Sequence, residues 1–319
     1  NQQKRSTPSR MTYGNPAMYL KRIAVVEPII LPGGGTEAVA AWTIEALKKD
    51  YDVSLITYSD VGAEMFNRYY GTELEDQQYS TVHPWLPSML IKTNRLSLLK
   101  DHLMMRYCKS VRKDFDLFIC IGGVMDFGDP GMQYVAFAPA STFVKIVGHD
   151  PGTPLWYYLA KKTIMKAFAS LSRYSERSMK KNVTLATSDW TGKLLENMYG
   201  LENYEVVFPP VDSPESGLPW EQRENGFLCI ARLVPEKMID QAIEILKRVR
   251  EQGFDVTFHV VGRRDDPSYY KKVKDLCEEN GDWATLHGVL SKKDLFDLMG
   301  RNKFGINAAF EEPSGVAAL

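Results

Sequence analysis

Two neighbouring carboxylates, Glu311 and Glu312, stand directly before a Pro-Ser-Gly turn near the carboxyl end of the chain. The residues before them, 304–308, have the pattern of a strand, and those after them, 314–319, begin like a helix. A helix N-terminus offers unpaired N–H groups and partial positive charge, so anions bind there. A carboxylate beside that anion can hold the hydroxyls of a polyol. The pattern predicts a nucleotide-sugar site, although a plain surface turn has the same composition.

Two cations five residues apart, Arg232 and Lys237, follow a predicted strand at 227–231. Arg can bridge two phosphate oxygens, and Lys supplies a point charge, so both can bind one diphosphate. Fixed cations stabilise the charge that grows on a leaving phosphate. We therefore predict that Arg232 and Lys237 are catalytic, whereas Glu236 between them is typical of a first helical turn.

Glycines occur at three places where a predicted strand gives way to the next element. Gly33, Gly34 and Gly35 precede a predicted helix at 36–49, and Gly262 ends the strand predicted at 256–261. Backbone without side chains can approach a ligand closely, and the helix after the first group adds its N-terminal field. These four glycines are predicted to contact the donor, and residues 122–123 (Gly-Gly) have the same character.

Strands alternate with helices along both halves of the chain, which predicts parallel sheets covered by helices on both faces. Ligands bind at the carboxyl ends of such strands, and each motif above follows a strand. The predicted strands are 23–27, 53–57, 116–121, 133–137, 183–187, 204–208, 227–231, 256–261, 284–287 and 304–308. The predicted helices are 36–49, 96–113, 154–181, one capped by Ser188 or Asp189, 236–252, 267–280 and 292–300 capped by Ser291.

In this order and spacing the segments resemble the retaining glycosyltransferases of family four, which have the GT-B fold. The resemblance rests on RLVPEK at 232–237, VVGR at 260–263, EPSG at 312–315, LPGGGTE at 31–37 and PPVD at 209–212. It covers about residues 21–319 and is weakest at 61–103. It implies two Rossmann-like domains: an acceptor-side domain at 21–212 after an N-terminal extension at 1–20, and a nucleotide-sugar domain at 213–319.

The resemblance also implies an activity and residue roles. Glu312 would contact sugar hydroxyls, and the backbone of Pro313, Ser314, Gly315 and Val316 would bind the donor. A hexose would pass from a UDP- or GDP-sugar to a glycan, lipid or small-molecule acceptor with its anomeric configuration retained. No metal or other cofactor is expected, and the leaving phosphate itself would take the acceptor's proton.

The sequence departs from the family pattern in two ways. The family's second Glu, which holds the ribose, would be residue 320, so we expect the second domain to be incomplete. A His that relatives often carry after the strand at 133–137 is replaced by Ala136. His149, in the loop that follows, is a candidate sugar or acceptor contact in its place.

Composition bounds the class of protein. The 319 residues are 44% hydrophobic and 25% charged, which is enough for two packed domains. A net charge of −1 gives no pull toward nucleic acid, and four cysteines without metal-ligand spacing fit a reduced, cytoplasmic protein. No apolar run is long enough to span a membrane. The basic stretch at 160–181 is either a solvated helix face or a peripheral contact with an anionic membrane.

Two other functions remain open. The glycines at 33 and 35 with Ala38 satisfy a loose dinucleotide-binding pattern and Asp60 follows the second strand, so an NAD-dependent oxidoreductase is one alternative. However, Pro28 and Pro32 separate that strand from the glycines, where a dinucleotide site needs a tight turn. A non-catalytic nucleotide- or glycan-binding protein is favoured by the missing second Glu and by Ala136.

Overall fold

The structure is a computed structural model that describes residues 21–92, 96–136, 155–212 and 217–309. These residues form two separate α/β units, each built on its own parallel sheet. We refer to the unit around the first sheet as the first domain and to the other as the second domain. Two parallel sheets wound with helices are the predicted fold class, which is confirmed.

The first sheet has seven parallel strands in the order β3-β2-β1-β4-β5-β6-β7. Strand order reverses between β1 and β4, so a crevice opens at their carboxyl ends. The strands are β1 Arg22–Val26, β2 Asp52–Ile56, β3 Ser80–Val82, β4 Leu117–Gly122, β5 Met132–Val135, β6 Val183–Ala186 and β7 Glu205–Val206.

The second sheet has four parallel strands among the described residues, in the order β10-β9-β8-β11. Here the order reverses between β8 and β11. The strands are β8 Glu224–Ile230, β9 Thr257–Val261, β10 Ala284–Gly288 and β11 Asn302–Gly305. The predicted linker at 209–212 lies in the chain that connects β7 to β8.

Helices follow the strands in both domains. Ser188 caps one by accepting the N–H of Thr191 at 3.2 Å, and Ser291 caps another through Asp294 at 3.2 Å, as predicted. Within the described part of the chain, no helix is both long and apolar enough to cross a membrane. The helices are α1 Gly35–Leu47, α2 Ala63–Tyr70, α3 Ser88–Lys92, α4 Ser97–Ser110, α5 Leu155–Ser172, α6 Glu176–Met179, α7 Asp189–Tyr199, α8 Ile239–Glu251, α9 Pro267–Glu279 and α10 Lys292–Arg301.

Both faces of the first sheet are buried. Ile23 and Val25 of β1 pack into one apolar cluster with α1 and α2, whereas Ala24 and Val26 pack into a second cluster with α4. Because alternate residues of a strand point to opposite faces, a strand covered on both sides reads as an unbroken apolar run. All four cysteines are free and buried, among them Cys120 on β4.

The single helix predicted at 154–181 is wrong, because α5 ends at Ser172 and α6 begins at Glu176. Lys109 donates to the carbonyls of Ser172 and Arg173 at 3.1 and 2.8 Å, and Asp126 accepts the N–H of Ser175 at 2.7 Å. Lys109 and Asp126 therefore form hydrogen bonds with backbone groups in the interruption between α5 and α6. The interruption is therefore set by tertiary contacts, and no Gly or Pro signals it.

The helix predicted at 236–252 is wrong in its first turn. Pro235–Lys237 is a single 3-10 turn, Met238 has a left-handed φ of 50°, and α8 begins only at Ile239. Lys237 therefore lies in a turn before the helix. The prediction for 304–308 is also shifted, since β11 covers Asn302–Gly305.

Two histidines on neighbouring strands give the second domain a pH-sensitive contact. Nδ1 of His259 lies 3.0 Å from Nε2 of His287, and Glu224 and Arg301 are the charged groups near them. Burial lowers the pKa of both imidazoles, and for His259 the proximity of His287 lowers it further. The folded state therefore favours the neutral pair.

We expect this pair to weaken the protein in mild acid. A histidine whose pKa is lowered on folding contributes stability above its unfolded pKa of about 6.5, and that stability is lost as the pH falls. Urea denaturation between about pH 7.5 and about pH 5.5 should show a smaller fall in unfolding free energy for His259→Phe than for the wild type. Equal falls in the two proteins would contradict this prediction.

Candidate functional site

The glycine segment lies at the carboxyl end of β1, next to the point where strand order reverses. Gly33 has a φ of +82°, a left-handed conformation that favours glycine, and Gly34 is the N-terminal cap of α1. The hydroxyl of Tyr70 accepts the N–H groups of Gly33 and Gly34 at 3.1 and 3.4 Å and donates to the carbonyl of Leu31 at 3.2 Å. The segment is thus held in one conformation by α2.

Open space lies beside this segment on the first domain. A methyl group added to Gly35 or Gly123 would meet no atom within 4 Å. Gly122 has a φ of +96°, and a Cβ there would lie 3.3 Å from Cγ2 of Thr36 and 3.5 Å from Oε2 of Glu27. Gly122 at the end of β4 therefore lies close to Thr36 at the start of α1.

The two predicted cations lie at the carboxyl end of β8. The side chain of Arg232 is 53% exposed, with Nη1 3.3 Å from Oδ2 of Asp265. Lys237 is partly buried in the 3-10 turn. Burial raises the pKa of the Cys229 thiol to about 11. The positive charge of Lys237 lowers the same pKa, because this lysine is close to Cys229 on β8.

Gly262 has a packing role that the sequence did not predict. Any side chain there would overlap the carbonyl oxygen of Ala231, so the missing Cβ lets the ends of β8 and β9 meet. Backbone bonds continue the contact, from Leu233 to the carbonyl of Arg263 at 2.8 Å and from Asp266 to that of Leu233 at 3.2 Å. The loop that carries Arg232 is therefore fixed to the loop after β9.

The glycine segment meets the loops of the second domain directly. A Cβ on Gly33 would come within 3.1 Å of Cγ1 of Val289, just after β10. Nη1 of Arg263 donates to the carbonyls of Leu31 and Pro32 at 3.1 and 3.4 Å and to Oε1 of Glu37 at 3.1 Å. The predicted glycines of one domain and the Arg232 loop of the other thus face the same boundary.

Glu27 is a residue at this edge that the sequence analysis missed. It follows the last residue of β1, is 7% exposed, and its Oε2 has no hydrogen-bond partner. Burial raises its pKa well above the ordinary value, and the neighbouring acids Glu37 and Asp101 raise it further. An acid at the end of an otherwise apolar run, IAVVE, was the signal available.

Several predicted site residues lie outside the part of the chain that the structure describes. These are Glu312, Pro313, Ser314, Gly315, Val316 and His149. Ala136 is described and follows β5, where its N–H donates to the carbonyl of Gly122 at 3.2 Å. The departure from the family pattern at this position therefore lies beside Gly122, within the same edge of the sheet.

The loose dinucleotide pattern does not have the geometry that such a site needs. Six residues, 27–32, separate the end of β1 from Gly33, and Asp60 is an exposed residue four positions beyond β2. A dinucleotide fingerprint needs a tight turn from the strand into the helix. The segment at 33–38 therefore lacks the tight turn of a dinucleotide site.

Solved structures share this architecture at low sequence identity. WaaG, a glycosyltransferase involved in lipopolysaccharide biosynthesis, is 16% identical with a TM-score of 0.64 over 93% of this chain and 77% of its own. Anabaena HepE in complex with UDP-glucose is 13% identical with a TM-score of 0.55 over 92% of this chain and 75% of its own. TarM is 10% identical with a TM-score of 0.55 over 94% of this chain and 82% of its own.

No protein-family model matches the chain, and no curated protein matches its sequence. The structural likeness establishes the fold, which is GT-B: two parallel α/β domains whose strand ends meet at a shared boundary.

The buried acid at the end of β1 gives a test of the site's electrostatics. An acid whose pKa is raised on folding loses stability as the pH rises from its unfolded pKa of about 4.3 toward its folded pKa. Glu27→Gln should therefore raise the unfolding free energy by about 1 kcal/mol or more near pH 8, with a smaller gain near pH 5. Denaturation at both pH values measures this, and Glu64→Gln on the exposed side of α2 is the control.

Proposed function

We propose that this protein is a retaining glycosyltransferase of the family-four type, which moves a hexose from a nucleotide-diphosphate sugar to an acceptor. The observation that carries the proposal is the boundary just described, where the glycine segment of the first domain faces the Arg232 loop of the second. Backbone suited to close approach and a cation loop are thus brought together in a GT-B fold. We assign residues 21–212 to the acceptor side and 213–319 to the donor side.

Arg232 and Lys237 are proposed to bind the donor diphosphate. In the described structure Arg232 is half exposed and pairs with Asp265 on one side, so a diphosphate can take over that contact without unfolding the loop. Positive charge there stabilises the leaving phosphate as the sugar becomes oxocarbenium-like. No protein nucleophile takes part in this proposal, because the acceptor hydroxyl itself attacks the face of the sugar that the phosphate leaves. The leaving phosphate accepts the proton of that hydroxyl, so no protein base is required.

The remaining assignments concern donor and sugar contacts. Gly33, Gly34 and Gly35 approach the donor from the first domain, and Gly262 borders it in the second. Glu312 holds sugar hydroxyls, the backbone at 313–316 binds the donor, and His149 contacts the sugar or acceptor. No metal takes part in this proposal, and chelation by EDTA should leave transfer unchanged.

The choice of donor follows the solved structures. HepE was crystallised with UDP-glucose, and Staphylococcus aureus TarM with UDP and α-GlcNAc-glycerol. We therefore propose a UDP-hexose as the donor, with a GDP-hexose as the alternative, and a glycan, lipid-linked or small-molecule acceptor. WaaG is involved in lipopolysaccharide biosynthesis, which favours acceptors of the glycan or lipid-linked kind in the first trials.

Arg232→Ala and Lys237→Ala should each lower transfer at least about tenfold, since each removes one cation from the leaving phosphate. UDP affinity by calorimetry should also fall, while the melting temperature stays near that of the wild type. Lys247→Ala, an exposed cation on α8, is the matched control. Wild-type turnover in Arg232→Ala and Lys237→Ala at saturating donor would remove their proposed role.

The wild-type measurements separate the candidate functions. Release of UDP from a UDP-sugar with transfer to an acceptor supports the enzyme. Binding of UDP without any turnover favours the non-catalytic binding protein. A thermal shift with NAD and none with UDP or GDP would instead favour the oxidoreductase.

Peripheral membrane contact through 160–181 is a further part of the proposal. Lys162, Lys166 and Ile164 are exposed on α5, and the Ile164 side chain is 51% exposed, so charge and apolar surface occur together. Anionic lipid attracts such a face by about 1 kcal/mol per cation.

Replacing both lysines by glutamate, K162E with K166E, should lower co-sedimentation with phosphatidylglycerol vesicles several-fold at low salt. Phosphatidylcholine vesicles and the reversal K247E on α8 are the controls. Equal sedimentation of the double variant and the wild type with the anionic vesicles would contradict membrane contact through this helix.

A further inference from the structure

Arg263 joins the two domains through one guanidinium group. Nε and Nη2 bind the two carboxylate oxygens of Asp265 at 2.6 and 3.2 Å within the second domain. Nη1 crosses the boundary to the carbonyls of Leu31 and Pro32 and to Oε1 of Glu37. Nε and Nη2 of the guanidinium therefore bind the second domain, and Nη1 binds the first domain.

This cluster differs from an ordinary surface ion pair. The side chains of Arg263, Asp265 and Glu37 are only 17%, 15% and 7% exposed. Exposed pairs are worth little, whereas a partly buried, bidentate Arg contact with further hydrogen bonds is geometrically specific. The two carboxylates raise the pKa of Arg263 against the effect of its burial, so the group stays charged at the boundary.

The backbone on either side of Arg263 is fixed as well. Its carbonyl accepts the N–H of Leu233, and the N–H of Gly262 donates to the carbonyl of Gly288 at 2.8 Å. Arg232, next to Leu233, shares Asp265 with Arg263. A rigid connection therefore runs from the glycine segment through Arg263 to the loop that carries Arg232.

Glu37 completes the contact on the first domain. It lies in the first turn of α1, and its Oε2 accepts the hydroxyl of Thr36 at 2.9 Å while Oε1 accepts from Arg263. The helix N-terminus stabilises this carboxylate, and the arginine neutralises it. The position of the glycine segment is thus coupled to the charge state and geometry of one arginine.

We propose that Arg263 is a positioning residue: it holds residues 31–37 in register against the loop that carries Arg232, so that both sides of the cleft are in place for transfer. The effect on transfer rests on the proposed function, whereas the effect on the glycine segment does not. A second contact between the domains, Lys292 with Asp212 and with the ring of Trp42, keeps them together without Arg263. Loss of Arg263 should therefore loosen the segment locally.

Amide hydrogen exchange tests the contact directly. In Arg263→Ala, amides at 31–37 should exchange about tenfold faster than in the wild type, while those of β8 and β9 stay protected. Arg263→Lys should also exchange faster than the wild type, because the three donors of one ammonium cannot replace the five hydrogen bonds of the guanidinium. Arg264→Ala is the matched control, since that exposed guanidinium lies over the ring of Tyr270.

Exchange at 31–37 in Arg263→Ala that matches Arg264→Ala would overturn the proposal, and so would full protection in Arg263→Lys. A double-mutant cycle with Glu37→Gln adds an independent measurement. The two changes should cost less stability together than the sum of each alone, because they share one contact. Additive losses would show that Arg263 and Glu37 are not coupled.

Activity then separates positioning from simple loss of structure. Arg263→Ala should keep its affinity for UDP within about threefold of the wild type while kcat for transfer falls about tenfold. An unchanged kcat would overturn the positioning role. If the wild type neither binds UDP nor transfers a sugar, the proposed function fails, and hydrogen exchange still decides whether Arg263 holds the glycine segment.

Discussion

Parallel strand pairing is the constraint on which the rest of the structure depends. Every paired strand in both sheets runs parallel to its neighbour, so the carboxyl ends of each sheet share one edge. Residues far apart in sequence, such as Glu27, Gly122 and Ala136, are thereby gathered at one place. The second sheet does the same for Arg232, Gly262 and Val289. These two edges meet at the domain boundary, where Gly33 lies against Val289 and Arg263 contacts Leu31.

Charge at the boundary is balanced by hydrogen bonding rather than by exposure to water. Arg263, Glu37 and Asp265 are all mostly buried, and each has partners of the opposite charge. Oε2 of Glu27, which lies beside Gly122, has no hydrogen-bond partner. Buried polar groups without partners destabilise the fold, and natural proteins tend to keep them where function uses them. The first edge therefore combines a hydrogen-bonded charged cluster with one buried acid that lacks a partner at Oε2.

Much of the fold could be predicted because the local signals were strong. Apolar runs predicted the ends of most strands to within two residues. The positions of Ser188 and Ser291 correctly predicted two helix N-caps. The elements between 61 and 96 were missed, since β3 has only three residues and α2 is short and rich in polar side chains. The break after Ser172 was missed because the groups that bond its backbone, from Lys109 and Asp126, lie at least 49 residues away in sequence from the atoms that they bond.

For the candidate site, the sequence by itself predicted which loops could bind a ligand: the glycines before α1, the Arg232 loop and the turn after β9. The spacing of residues within a motif is local, so it can be recognised from the sequence without a structure. Only the tertiary structure placed Arg263 and Glu27 beside these loops. Hydrogen bonds from Arg263 to Leu31, Pro32 and Glu37 span 226–232 residues of sequence, and the burial of Glu27 depends on neighbours from several elements. Desolvation and long-range pairing are properties of packing, which no local pattern encodes.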